Sequence, residues 1–219
     1  MNHCGSDEFV LVFPADTIAR VGSFEGLRFN AVDYLAAIEG VASFRPRSAV
    51  ETDLTFKQVI PYTLIVCGSR ILTYRRGVES AEQRLVGNRS VGIGGHVSTP
   101  DPSAYRPTYE EALDREIAEE LQVQSDYQMT RVAVLNDNSD EVGRVHFGVV
   151  HVLLLEKANV SRNEEAIAGL RFEDKLGLGS AIDGYESWSR ICIESLDRLL
   201  AAAHAVAQLG RPADSAPAG

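Results

Sequence analysis

No apolar run of about 18 residues, the length that spans hydrocarbon, occurs in this 219-residue chain. A membrane-spanning helix is therefore not expected. The opening, MNHCGSDEFV, lacks the basic-then-apolar order of a secretory signal, so a cytoplasmic location is expected. Cysteine is scarce: Cys4, Cys67 and Cys192 are odd in number, far apart and without paired spacing. That pattern argues against a disulfide framework and a thiolate zinc motif. Two of the three read as small buried apolar side chains and Cys4 as part of a loose terminus. Positive charge is also short, with 21 basic against 31 acidic residues and a formal charge of -10. Such a balance repels a polyanion, so long nucleic acid is not an expected partner. A small phosphorylated substrate is compatible, because a few cations held at one point outweigh a diffuse net charge. A homodimer is compatible too.

What is present suffices for one sizeable core with an appendage, since 45% of residues are hydrophobic and 24% charged. FVLVFPA, from Phe9, reads as a strand, and Asn30 followed by AVDYLAAIE and Gly40 reads as a capped helix with a glycine stop. Residues 1–60 are expected to be an N-terminal extension packed on a core domain of residues 61–209, with a flexible tail over 210–219. In that core, YTLIVC and RILTY flank Gly68 and Ser69, a glycine-first two-residue hairpin turn. SVGIGGHV reads as a short strand entering a glycine-rich turn. Thr108 with Glu111 three residues on forms a capping-box pattern and predicts a helix from Tyr109 to Leu121. VAVLN and VHFGVVHVLLL, separated by DNSDEVG, predict a second hairpin. Ser161 with Glu164 predicts a brief capped helix ending near Gly169, and Tyr185 to Leu209 carries apolar residues at helical intervals. Two hairpins favour antiparallel pairing, hence an α/β fold with a mixed sheet between helices.

The chemistry concentrates in residues 94–123. Arg115, Glu116, Ile117, Glu119 and Glu120 read R-E-I-x-E-E. At about 100° per helical residue, Glu116, Glu119 and Glu120 share an arc of about 100°. Leu113, Ile117 and Leu121 recur beside it as a stripe for burial. Like charges at these spacings cost a bare helix a few tenths of a kcal/mol per pair, a penalty that a bound cation would relieve. Magnesium fits, as a hard ion that takes carboxylate oxygen and water and bridges to substrate phosphate. The plainer reading is a solvated acidic helix face, with Arg115 and Glu119 a surface ion pair.

This segment resembles the Nudix box: glycine, five residues, glutamate, seven residues, then R-E-hydrophobic-x-E-E-x-G-hydrophobic. Gly95 matches the opening glycine, Arg115 and Glu116 the R-E pair, Glu119 and Glu120 the E-E pair, and Val123 the last hydrophobic. The resemblance implies a Nudix-like α/β/α sandwich and hydrolysis of a diphosphate linkage in a nucleoside diphosphate derivative or related compound. It also implies Mg2+ or Mn2+ held by Glu116, Glu119 and Glu120, with Arg115 beside them. The sequence departs from the box in three ways. Asp101 stands where the box has glutamate, the stretch from there to Arg115 is six residues longer, and Gln122 replaces the late glycine. Asp101 is either the replacement carboxylate or a loop residue making its own turn.

Farther out, RSAVETDLTFKQVIPYTLI and YESWS resemble a bacterial subgroup of Nudix phosphoesterases, which implies that Arg47, Glu51, Lys57 and Gln58 line the substrate pocket. Gly94 and Gly95 are candidates for backbone contact with phosphate, although glycine there equally serves a tight turn. Glu173, Asp174 and Glu186 are candidates for a general base. His146 and His151, on a buried strand, read as structural, and His96 reads equally as a structural side chain or a ligand. The competing functional reading is a non-catalytic Nudix-like module that binds a nucleotide or a partner. Isomerisation of an isoprenoid diphosphate is a third, for which the acid-base pair has no assigned place.

Overall fold

A computed structural model describes residues 8–77, 83–163 and 167–209. The expected tail, Cys4 and Glu164 lie outside these residues. In chain order the elements are β1 (Phe9–Pro14), α1 (Asp16–Val21), β2 (Gly26–Phe29), α2 (Val32–Glu39), β3 (Ser43–Pro46) and α3 (Arg47–Val50). The middle of the chain supplies β4 (Phe56–Cys67), β5 (Arg70–Arg76), β6 (Arg89–Ser90), β7 (Gly92–Gly94), β8 (Ser98–Thr99), α4 (Tyr109–Glu120) and β9 (Leu121–Val123). There follow β10 (Tyr127–Asn136), α5 (Glu141–Val145), β11 (His146–Leu155), β12 (Val160–Arg162), β13 (Ile167–Asp174), α6 (Lys175–Ser180), α7 (Ser187–Glu194) and α8 (Leu196–Leu209).

The main sheet runs β13-β5-β4-β11-β10-β2, with β1, β3, β6, β7 and β8 attached off that path. Its two central strands, β4 and β11, lie parallel from His146 opposite Gln58 to Leu155 opposite Cys67. The other ladders of this sheet among the described residues are antiparallel, so the sheet is mixed as expected. Both central strands are buried almost end to end, as strands covered on two faces must be. Alternation along β4 divides the layers. On one face, Val59 clusters with Phe147, Val149 and with Ile18 of α1, Tyr34 of α2 and Tyr109 of α4. On the other, Ile60, Tyr62 and Leu64 meet Trp188, Cys192, Leu196 and Leu199 of α7 and α8. The arrangement is an α/β/α sandwich. Residues 8–60 join the same sheet, since β1 pairs with β4 and β2 with β10.

Local signals set several boundaries. Gly68 takes φ 60 between the paired Cys67 and Arg70, the glycine-first turn expected from sequence. Thr108 caps α4 with both halves of its capping box in place. Leu121 leaves the helix in extended geometry (φ -135, ψ 146), so Gln122 enters β9 without the left-handed residue that the missing glycine would have supplied.

Other expectations need correction. Ser161 lies in β12, paired with β9, and Gly169 lies in β13, so the capped helix there is replaced by strands whose partners override the local capping pattern. Asn30 does not cap α2: it stands one residue too early, at φ 55, and Ala31 occupies the cap position. Gly40 ends that helix in right-handed geometry. The DNSDEVG connection is more than a turn, because Asp140 accepts from the Gly143 amide (2.7 Å) and starts α5. The last helical stretch is two helices, broken at Ser195. No helix among the described residues is long and apolar enough to cross a membrane.

Candidate active site

A cavity of about 330 Å³ opens where α4, the exit of β7, the end of β5 and the start of α7 converge. Its volume is within the roughly 300–1,000 Å³ range of small-molecule sites. Arg115, Glu116, Glu119 and Glu120 line it together with Gly94, Gly95 and Arg47, so these candidates are brought to one place. Lys57 is not. Its ammonium is buried on β4 and donates to Asn138 Oδ1 (3.1 Å) and to the carbonyls of Gly143 (2.9 Å) and His146 (3.2 Å). Lys57 thus clasps the α5 connection instead of facing substrate. Burial lowers its pKa to about 8, against the opposing pull of Glu25 and Asp137. Gln58 is wholly buried away from the cavity, and Glu51 pairs with Arg47 and Arg84.

Packing explains how α4 presents its acids. Leu113 is buried, and Ile117 packs on Ile65, Ile93 and Leu153. The Glu116 carboxylate lies directly against Gly95, where any Cβ would overlap it. Gly94 is equally constrained, because a Cβ there would come within 2.7 Å of the Pro61 carbonyl. Close approach to backbone therefore requires glycine at position 94, while glycine at 95 makes room for the Glu116 carboxylate, and neither need comes from backbone angle. Arg115 ties helix to loop: Nη2 donates to the His96 carbonyl (2.8 Å) and pairs with Glu116 (2.8 Å), while Nη1 lies 3.3 Å from Glu119 Oε2.

Asp101 stands outside this cavity. Exposed in the loop before α4, it accepts from the Ser103 amide (2.9 Å) and hydroxyl (2.6 Å), the local-turn alternative. Of the three general-base candidates, Glu186 alone lines the cavity. Glu173 pairs with Arg89 and Arg171 and accepts from the Tyr185 hydroxyl, and Asp174 caps α6 through the Gly177 amide.

Several lining residues gave no sequence signal. Arg76, at the end of β5, donates to Glu186 from Nε (2.8 Å) and Nη2 (3.4 Å). Ser90 Oγ lies 2.6 Å from the same carboxylate, and Tyr62 and Ser189 are hydrogen-bonded to each other beside it (2.9 Å). Burial, then Glu186, pushes the Tyr62 phenol well above its usual range, so it remains a donor. His96 Nε2 lies 3.3 Å from His146 Nε2, while His146 Nδ1 is 2.7 Å from the Val142 carbonyl. That carbonyl assigns the His146 proton to Nδ1, which leaves His96 as the donor between the two rings. Burial, then His146, Arg47 and Arg115, holds His96 well below the ordinary imidazole range, so it is neutral. Nothing in the sequence linked His96 to His146, 50 positions away.

Nudix hydrolases generally use divalent metals, and the donor set here fits one. Among the described residues no three His, Cys, Asp or Glu side chains form a ready cage. A magnesium-like ion needs none, because it keeps several waters and uses one or two carboxylates plus substrate phosphates. Three hard carboxylates within one turn of α4, one of them seated on Gly95, supply the ligand type required.

No family sequence model matches the chain. Protein YmaB of Bacillus subtilis is 31% identical over 205 residues, which cover 87% of this chain and 98% of that protein. The crystal structure of Tm1382, assigned to the Nudix hydrolases, superposes with a TM-score of 0.71 at 28% identity over 87% of this chain and 99% of its own. Similarity spans nearly the whole of both proteins, and the chain belongs to the Nudix hydrolase superfamily as an enzyme of the pyrophosphohydrolase type.

Proposed function

We propose that the enzyme hydrolyses a diphosphate linkage in a nucleoside diphosphate derivative or a related small phosphorylated compound, with Mg2+ or Mn2+ bound at α4. The charge balance of the cavity carries this reading. Among the described residues, six carboxylates (Glu8, Glu116, Glu119, Glu120, Asp140 and Glu186) face three guanidiniums (Arg47, Arg76 and Arg115). A diphosphate would be repelled from such a wall unless cations came with it. When bound, the ions supply that neutralisation and lower the pKa of an attacking water. Glu116, Glu119 and Glu120 are the residues that would hold them. Gly94 and Gly95 keep the backbone close to the substrate, and Arg115 fixes the relative positions of helix and loop. In the reaction a water oxygen bonds to one phosphorus, the bridging P–O bond breaks, and the second phosphoryl group leaves with its oxygen.

In this reading residues 1–60 act as an extension that closes one wall of the cavity through Glu8 and Arg47, and residues 61–209 form the hydrolase core. A cytoplasmic location suits the small phosphorylated substrate. The test is release of phosphate or nucleotide from a panel of diphosphates with Mg2+ or Mn2+. Absence of turnover across the panel, despite measured metal binding, would defeat it. Asp101 outside the cavity favours one second reading, a non-catalytic binding module. Nucleotide binding that survives Glu120→Gln with no cleavage by the parent chain would mark that outcome.

A further inference from the structure

Glu186 is the cavity carboxylate that position alone would make the base, and its surroundings argue against that role. An ionised carboxyl group offers about four lone-pair sites. Arg76 fills two of them, with Nε on Oε2 (2.8 Å) and Nη2 on Oε1 (3.4 Å). Ser90 Oγ is 2.6 Å and Ser189 Oγ 3.3 Å from Oε1. Ser189 is itself fixed, accepting from the Val91 amide (3.0 Å) and lying 2.9 Å from the Tyr62 hydroxyl. With Tyr62 donating to Ser189 and Ser189 to Glu186, three of these contacts crowd Oε1 and Arg76 Nε takes one of the two sites on Oε2, so this buried carboxylate is engaged chiefly as the partner of Arg76.

Arg76 shows the opposite condition. Its side chain is 13% exposed and lines the cavity, two of its three guanidinium nitrogens are committed to Glu186, and Nη1 has no hydrogen-bond partner among the described residues. Glu120 lies within electrostatic range, which sets Arg76 at the C-terminal end of the acidic turn of α4. A guanidinium locked on one edge and open on the other is pre-organised for an anionic oxygen, because little side-chain freedom is left to lose on binding.

Resting on the hydrolase reading above, we infer that Arg76 is a specificity residue that captures an anionic group borne by the substrate beyond the two phosphates held at α4, and that Glu186 is the positioning residue that aims it. The substrate class is then a diphosphate whose attached arm carries a further phosphate or carboxylate.

Matched probes test this: UDP-glucose against UDP-glucuronate, which differ by one carboxylate on the arm, and ADP against ATP. The parent enzyme should favour the more anionic member of at least one pair. Arg76→Gln should cut kcat/KM on the anionic member about tenfold more than on its neutral-arm counterpart, chiefly through KM. Glu186→Gln should shift the same ratio the same way and leave the acidic limb of the pH–rate profile in place. Because Arg76→Gln strands a buried carboxylate, the double variant Arg76→Gln/Glu186→Gln is measured beside it, with thermal unfolding as a check on folding. Equal losses on both members, or loss of the acidic limb in Glu186→Gln, would overturn the assignment. Failure of the parent to turn over any probe would instead overturn the hydrolase reading. In that event, titration of pyrophosphate and tripolyphosphate in Mg2+ still reads the charge preference of Arg76 by binding.

Discussion

Two acidic walls face each other across the cavity, built from the same residue type and differing in how far each carboxylate is already satisfied. On α4, Glu116 and Glu119 share the Arg115 guanidinium, and the side chain of Glu119 is 48% exposed. On α7, the Glu186 side chain is 4% exposed and receives four donors of its own. Clustered acids that share one cation keep an electrostatic demand which a divalent ion can meet, whereas a carboxylate surrounded by donors has become part of the scaffold. Position in a site therefore does not assign a role; burial and the partners already held do.

The sharpest way to break this comparison is to neutralise one acid on each wall. Glu116→Gln or Glu120→Gln should lower kcat on the order of a thousandfold and abolish Mn2+ uptake measured by calorimetry. Glu186→Gln should cost only about tenfold and leave Mn2+ uptake intact. Similar losses from both walls would erase the distinction. Next in size is Gly95→Ala, whose new methyl group collides with the Glu116 carboxylate. Displacing that carboxylate by about 1 Å should cost about a hundredfold in kcat. Circular dichroism and thermal unfolding would confirm that the fold survives, since Gly95 is not at a positive φ.

A third case sharpens the comparison with a cation. Buried Lys57 is held by carbonyl and amide oxygens and, among the described residues, has no ion pair at hydrogen-bond distance. Its folded pKa of about 8 is below the unfolded value of 10.5. The unfolded chain therefore binds more protons between pH 8 and 10.5, and this group's contribution to stability rises with pH across that window. Lys57→Met leaves the three oxygens without their donor and should destabilise by about 1–3 kcal/mol near neutral pH. Urea unfolding at pH 8 and pH 10 should show the parent gaining stability relative to the variant as pH rises. A pH-independent difference would mean that the ammonium is not desolvated as described.

The walls also differ in how much of each was legible from sequence. The α4 wall rests on local signals: the acids fall within one turn, Thr108 and Glu111 cap the helix, and Gly94 and Gly95 precede it on the neighbouring strand. Periodicity similarly gave the buried strands and the last helical stretch, but not its break at Ser195. The α7 wall is made by long-range closure, with Arg76 and Glu186 separated by 110 positions and Ser90 and Ser189 by 99, and no short pattern encodes such pairs. His96 and His146 meet across 50 positions for the same reason. The resemblance puts Lys57 at the pocket, yet its oxygen partners come from 81 to 89 residues away. At Ser161 the local capping signal was real and lost to strand pairing with β9.

The smallest expected effect concerns Asp101, which the family pattern would add to the α4 wall and the structure places in a loop. Its Oδ1 accepts from Ser103, and that hydroxyl bond first, then the Ser103 amide, lowers its pKa. Asparagine keeps an oxygen in the same place for the turn and removes only the charge. Asp101→Asn should therefore change kcat with Mn2+ by less than about twofold, because a carboxylate outside the cavity has no ion to share with Glu116. A loss above about tenfold, with Mn2+ affinity reduced to match, would show that the loop swings inward during turnover and that the metal wall has a fourth acid.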